Sequence, residues 1–466
     1  MVALIPSIKE HLRLVAEGSA SVEDLVKESI EKSLLIQKKY TPFITINEKA
    51  VAPTARGRLY GLAVSIKDNI CTKDIQTTAG SKVLEGYIPP FDATCVERIK
   101  EQGAFIIGKT AQDEFGFGTF SINTPYQVPR NPLDTERTCG GSSGGAGCIT
   151  AASNFPHVAI AESTGGSITA PAAFTGTVGL TPTYGRVSRY GLIDFSNSMD
   201  KIGVIGKCVY DCALMLSVIA GHDELDSTCS REPAEDFTAS IGKDIKGLRI
   251  GLPKEYFSEG VDKRISKLVM SKAAELESQG AEVEELSLPF TKYSIPAYYL
   301  IAVSESSTNL AKYCGLRYGL QEELSGNFDQ YFSKVRADGF GEEAKRRIIL
   351  GTYARMAGYR DKYYLKALRV RTEIIREFKL AFKKYDVLIT PSMPVLPPKF
   401  SEIKSLTPLQ VYNFDILTTA PNMAGMPHIS VPAGLIDGLP AGMQIIANHF
   451  KEGVAIKVAS ALDGSS

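Results

Sequence analysis

The sequence predicts an α/β fold: a large, mixed, mostly parallel central sheet covered by helices on both faces. Two stretches with the same grammar carry that prediction. In the first, the apolar run Leu62–Ile66 is followed by a helical segment from Asp92 to Gly103 and by a second apolar run, Ala104–Gly108. In the second, Leu248–Leu252 leads to a helix from Asp262 to Gln279, closed by Gly280, and then to Ala281–Leu286. Strand, helix and strand in succession form the unit of a parallel sheet, because the crossover has to run back along one face. A third observation extends the sheet across the chain: within its 466 residues the best surface connection is the polar segment Glu224–Lys243, which carries Pro233.

The other elements follow in order. From Ser21 to Lys38, apolar residues recur at Val22, Leu25, Val26, Ile30 and Leu34, and Ser21 with Asp24 suits a helix start. Asp92 is an N-cap candidate for the first crossover helix, and Gly103 is its C-terminal stop. Gly179–Ser188 is rich in turn formers, and Tyr210–Gly221 reads as a helix. Glu342–Tyr385 reads as two helices charged along one side. Asp386–Thr390 is a strand entering the proline-rich Pro391–Pro398, and Ile429–Pro432 is a further short strand. No repeat of 20–50 residues appears, which excludes a solenoid.

Composition removes several classes of function. Lys and Arg together number 52, as do Asp and Glu, so no global charge argues for a nucleic-acid or membrane surface. Eight cysteines are scattered without a CxxC pair, which disfavours zinc and points to reduced thiols in an intracellular compartment. Met1–Ser21 carries Glu10 and Glu17 and has no signal-peptide core or convincing transit-peptide pattern. The most apolar window, Gly203–Gly221, is interrupted by Lys207 and Asp211, so no membrane span is expected.

The most unusual stretch is Cys139–Ala173. Gly140–Gly145 and Thr164–Ser167 are two glycine-serine clusters joined by an apolar segment, Ala146–Ala161. A flexible linker would be polar throughout, so these read as buried turns whose backbone approaches a ligand closely. A serine there is a candidate nucleophile, and successive N–H groups of a Thr-Gly-Gly-Ser turn suit an oxyanion. Its base stays open. Of five histidines only His157 is near in sequence, and it also reads as structural; Lys67 could serve if burial made it neutral, or it could be a solvated strand end.

Gly140–Gly145, Ser163–Ile168 with Pro171-Ala172, and Ile66-Lys67-Asp68-Asn69 together resemble the amidase signature family. The resemblance implies an amidase-signature fold in a single domain over 1–466. It divides into an N-terminal helical segment (about 1–50), a Gly/Ser catalytic core (about 60–200) and an amino-acid-binding half (about 245–450). It also implies a Ser–cis-Ser–Lys triad, with Ser167 as nucleophile, Ser142 as bridging serine on a cis peptide and Lys67 as base. Thr164, Gly165 and Gly166 would supply oxyanion-hole N–H groups together with Ser167.

Second-half segments, among them Leu252–Tyr256, Tyr298-Tyr299, Gly339–Glu342, Lys345–Ile348 and Leu350–Thr352, are similar to one branch of the family, the glutamine-hydrolysing subunits of tRNA-dependent amidotransferases. That likeness implies Arg347 on the substrate α-carboxylate, Asp415 on its α-ammonium and Tyr298 lining the pocket. Ammonia would pass to the amidotransferase B subunit, which amidates Glu-tRNA(Gln) or Asp-tRNA(Asn), and a small third subunit would complete the assembly. This chain would hold no metal or cofactor; ATP and Mg would be used by the partner, and tRNA would be met mainly through it. The expected compartment is the mitochondrial matrix in a eukaryote and otherwise the cytoplasm. The alternatives are a stand-alone amide hydrolase and a silent scaffold subunit.

The chain departs from the family pattern in several places. Ser-Asp-Thr before the nucleophile turn is here Glu162-Ser163-Thr164, so a supporting acid is missing or displaced. Thr169 stands where arginine is usual, one extra residue falls near Asn154–Pro156, and Asn123 replaces a glutamate that bacterial members carry near the channel entrance. Together these departures suggest a divergent, organellar subunit.

Overall fold

In the computed structural model, which describes residues 7–324 and 326–463, eleven strands form one sheet. From edge to edge they are Phe43–Ile46, Phe105–Thr110, Ala63–Lys67, His157–Ser163, Lys201–Gly206, Val178–Thr181, His428–Ile436, Leu439–Ala447, Val387–Pro391, Arg249–Pro253 and Glu282–Leu286. The α/β class and the mixed sheet are as predicted, but parallel pairing does not dominate. Four of the ten neighbouring pairs are parallel: one within each strand–helix–strand unit, and one where a further strand, His157–Ser163 or Val387–Pro391, joins each unit. Between those units every neighbouring pair is antiparallel, from the tight hairpin at Asp437-Gly438 to strands far apart in the chain, which the sequence units did not reveal.

The first unit positions the site. Ala63–Lys67 lies between Phe105–Thr110 and His157–Ser163 and is parallel to both. All five of its residues are buried, as are all seven of His157–Ser163. Strands covered on both faces read as continuous apolar runs, and their carboxyl ends open onto a common crevice. Lys67 ends one strand, and the Thr164–Ser167 turn leaves the end of the next.

Helices cover the faces by the expected logic. Ser21 accepts from the Asp24 N–H and starts Val22–Tyr40, whose Val22, Val26 and Ile30 pack with Phe43, Phe105 and Ile149. In the second unit Asp262 caps Lys263–Ser278, which buries Ile265, Val269, Ala273 and Leu276 at helical spacing. The N-cap expected at Asp92 is a correction. The helix is Thr94–Glu101, capped by Ala93, while the Asp92 carboxylate accepts from the Lys73 N–H and the Lys100 ammonium. An unexpected helix, Ile8–Ala16, precedes the first expected one.

Glu342–Arg355 and Lys366–Ala381 are the two charged helices. The short strand expected at Ile429–Pro432 extends over His428–Ile436, because Asp437-Gly438, both with positive φ, turn it into a hairpin with Leu439–Ala447. Among the described residues no helix is long and apolar enough to cross a membrane, and all eight cysteines are free thiols.

Candidate active site

Lys67 is wholly buried. The expectation of a solvated strand end fails because parallel neighbours flank its strand on both sides. Its Nζ lies 2.8 Å from Ser142 Oγ, 3.0 Å from the Glu162 carbonyl and 2.9 Å from Glu162 Oε2. Three partners match the three donors of an ammonium, or two donors and one lone pair of a neutral amine. Asn69 adds a bond to the same Oε2 at 3.2 Å.

Ser142 follows a cis peptide bond, Gly141–Ser142. Gly141 is required there by crowding: a Cβ would stand 2.5 Å from Asp113 Oδ2 and 2.6 Å from the Phe120 nitrogen. Asp113 is itself fixed by the N–H groups of Ser121 and Asn123, at 2.8 and 2.9 Å, and burial pushes its carboxyl up to about 6.

Ser167 is 8% exposed and lies in the next turn, tied to the first cluster by the bond from Ser143 N–H to its carbonyl at 3.3 Å. It lines a narrow cleft with Gly165, Gly166, Tyr298, Arg347 and Asp415. A Cβ at Gly165 would come within 2.5 Å of the Tyr298 hydroxyl, so the glycine lets backbone and ring touch. Thr164 is different from its neighbours in that its side chain, too, is engaged: its hydroxyl contacts both Glu162 Oε1 at 2.8 Å and Asp200 Oδ1 at 2.7 Å.

Across the cleft, Arg347 is buried rather than exposed on its helix. Its Nε donates to Glu343 at 2.8 Å, and the rings of Phe117, Phe195, Tyr299 and Tyr412 surround the guanidinium at 4.9 to 5.6 Å. Its terminal nitrogens have no acceptor among the described residues, a fork open to a carboxylate. Asp415 accepts from Thr119 Oγ1 at 3.0 Å and from the Tyr299 hydroxyl at 2.9 Å. Burial pushes its carboxyl up to about 6 against those bonds and the Arg347 charge. Arginine and carboxylate on one wall of a cleft suit the two charged ends of an amino acid.

The structure thus brings Lys67 and Ser142 into contact and gathers Ser167, Tyr298, Arg347 and Asp415 round one cleft. His157 is elsewhere, bonded to Ser65 Oγ at 2.9 Å, and burial lowers it to about 3. Ser163 is no acid, and the carboxylate that meets Lys67 is that of the preceding residue, Glu162. Sequence reasoning did not find Glu162 as a partner of Lys67, nor Asp200, Thr119, Tyr299 or Glu343. A glutamate closing the apolar run His157–Ala161 was the available signal, since a buried charge needs a partner. A larger cavity of about 510 Å³, lined by Tyr256, Val261, Val395 and Phe414 among others, includes none of Lys67, Ser142 and Ser167. Among the described residues no group of three or more His, Cys, Asp or Glu is placed to hold a metal ion.

The family model "Amidase" matches residues 17–455. The A subunit of glutamyl-tRNA(Gln) amidotransferase from Carboxydothermus hydrogenoformans is 47% identical over 469 residues, covering 98% of this chain and 96% of that protein. The protein of the same description from Persephonella marina is 47% identical over 438 residues, 94% of this chain and 88% of its own. Among solved structures, the crystal structure of the glutamyl-tRNA(Gln) amidotransferase A subunit from Thermotoga maritima superposes with a TM-score of 0.85 at 36% identity, over 99% of this chain and 95% of that one.

Proposed function

We propose, from the premise that this chain belongs to the amidase family, that it is the glutaminase subunit of a tRNA-dependent amidotransferase. The observation that carries the reading is the cleft with Ser167 on one wall and the Arg347–Asp415 pair on the other. Arg347 takes the α-carboxylate of glutamine, Asp415 its α-ammonium, and the side-chain amide reaches Ser167.

Ser167 Oγ attacks the amide carbon while its proton passes through Ser142 Oγ to Lys67 Nζ, 2.8 Å from Ser142. The oxyanion is met by N–H groups of the Thr164–Ser167 turn. Lys67 returns the proton to the departing nitrogen, which leaves as ammonia, and water then releases glutamate from the acyl-serine by the same relay. The ammonia passes to the partner B subunit, which uses ATP and Mg to amidate Glu-tRNA(Gln) or Asp-tRNA(Asn), with a small third subunit in the assembly. Full-length likeness to proteins described as the A subunit of glutamyl-tRNA(Gln) amidotransferase supports this assignment. We assign the chain to the mitochondrial matrix if its source is a eukaryote and to the cytoplasm otherwise.

Ser167→Ala in the assembled complex tests the reading. Glutamine-dependent amidation is lost and ammonia-dependent amidation is kept; unchanged use of glutamine would overturn it. Robust hydrolysis of simple amides by the isolated chain would favour the stand-alone hydrolase instead.

A further inference from the structure

We infer that Glu162 is the positioning residue of Lys67, and that it shares one proton with Asp200 through the Thr164 hydroxyl so that its charge follows that of the lysine. The inference rests on the reading of Lys67 as the base. Glu162 holds Lys67 twice, by its carbonyl at 3.0 Å and by Oε2 at 2.9 Å. With two N–H groups so fixed, the remaining position on nitrogen points to Ser142 Oγ, the direction in which a proton has to move.

The proton count comes from Thr164. Its Oγ1 contacts both Glu162 Oε1 and Asp200 Oδ1 at hydrogen-bond distance, yet a hydroxyl carries one hydrogen. For both contacts to be hydrogen bonds, one of the two carboxyls must be protonated. The other oxygens are committed as acceptors: Glu162 Oε2 to Lys67 and Asn69, Asp200 Oδ2 to the N–H groups of Phe195 and Ser196, each at 2.8 Å. The shared proton therefore lies on the line from Oε1 through Oγ1 to Oδ1.

Two arrangements satisfy every group, and neither requires a heavy atom to move. In one, Asp200 Oδ1–H donates to Thr164, Thr164 donates to Glu162, and Glu162 is the anion beside a charged Lys67. In the other, Glu162 Oε1–H donates to Thr164, Thr164 donates to Asp200, and a neutral Glu162 faces a neutral Lys67. Passing between them moves one proton from Glu162 to Thr164 and one from Thr164 to Asp200, and the total is unchanged. The negative charge thus stands next to Lys67 when the lysine takes up its proton, which matters because an isolated charge in a buried site is costly.

Both carboxyls are buried, and burial with the nearby Glu162 holds the Asp200 carboxyl well above the usual range. The other charged or titratable groups around the cluster are Lys201, Asp113, Tyr298, Arg189 and Arg371. Lys201 directs its Nζ to the carbonyls of Met199 and Asn422. Ser163, in the place where the family pattern has an acid, only approaches Asn422 Oδ1 at 3.3 Å.

Two amide variants, in the full chain with its co-expressed partner subunits, move the acid limb of the glutamine-hydrolysis pH profile in opposite directions. Glu162→Gln retains the acceptor for Lys67 but leaves the negative charge on Asp200, so the lysine loses its proton more easily and the limb moves to lower pH. Its kcat falls about ten- to a hundredfold, with KM for glutamine unchanged. Asp200→Asn donates permanently to Thr164, fixes Glu162 as the anion and moves the limb to higher pH. The pH dependence of Ser167 modification by phenylmethylsulfonyl fluoride, followed by intact mass, gives the same two shifts without glutamine. Limbs that stay put, or move the same way, overturn the inference; if Glu162→Gln does not fold, an unmoved limb in Asp200→Asn does so alone. Ser167→Ala run alongside separates the failures: if it still hydrolyses glutamine, the assignment of function falls, and if it is inactive while the limbs do not diverge, only the role of Glu162 falls.

Discussion

The two walls of the cleft differ in how far they are completed without substrate. On the Gly/Ser wall every donor of Lys67 is matched, Ser142 is in contact with it, and Glu162 is bonded through both carboxylate oxygens. On the facing wall Arg347 spends only Nε on Glu343, and Asp415 is held by neutral hydroxyls, with its carboxyl pushed up to about 6. On the proposed function, the first wall is the proton relay, with its Lys67–Ser142 contact already made, and the second is half of a set of ion pairs that a zwitterion would complete. Changes to the first should therefore act on kcat and changes to the second on KM.

The largest effect is expected at Lys67. Lys67→Met removes the proposed base and should lower glutamine-dependent kcat about a thousandfold or more, while ammonia-dependent amidation persists. A fall of less than about tenfold would mean that the prebuilt relay is not the path of the proton. Next is Arg347→Ala, which removes a charge-assisted fork and raises KM for glutamine about a hundredfold with kcat largely kept. If kcat fell and KM did not, Arg347 would belong to the relay side.

A smaller, graded effect is expected from Asp415. Its anion is the form that holds an ammonium, so affinity is present above a pH of about 6 and is lost as the pH falls through that value. KM should rise about tenfold per pH unit below it, and Asp415→Asn should have a raised KM that no longer changes there. A wild-type KM that is flat down to pH of about 5 would remove Asp415 from the ammonium site.

Much of the first wall was legible in the sequence because its demands are local. Crowded turns need glycine, and Gly140–Gly145 and Gly165-Gly166 show that need wherever the chain runs in space. Partners were not legible, since Lys67 and Glu162 are 95 residues apart and meet only because their strands are parallel neighbours. The same limit applies to the facing wall. Arg347 reads as a charged residue on a charged helix, and nothing local says that Phe117, Phe195, Tyr299 and Tyr412 enclose it. The true share of parallel pairing was hidden for a related reason: antiparallel neighbours such as Val178–Thr181 and His428–Ile436 are far apart in the chain, and nothing local announces their pairing.

The smallest effect on activity is expected at Lys109, which tests whether burial alone makes a lysine part of the relay. Lys109 lies on the parallel neighbour of the Lys67 strand, is just as buried, and also follows an apolar run. Its Nζ, however, meets the Ile70 carbonyl, Thr72 Oγ1 at 3.2 Å and Thr77 Oγ1 at 2.8 Å, with no serine of the clusters and no carboxylate in bonding range. Lys109→Met should leave kcat and KM as they are. Its signature is in stability. Burial lowers the folded-state ammonium to about 8, with Asp68 opposing, whereas the unfolded chain titrates near the ordinary lysine value of about 10.4. Between these values the unfolded chain binds the proton and the folded chain does not, so stability rises with pH across that window and is level below it. The wild type should therefore gain up to about 3 kcal/mol over Lys109→Met between pH of about 8 and 10, read as a change in their Tm difference. A Tm difference that stays level would show Lys109 charged and fully compensated in its pocket, and burial would then give no reason to treat the two lysines differently from their partners.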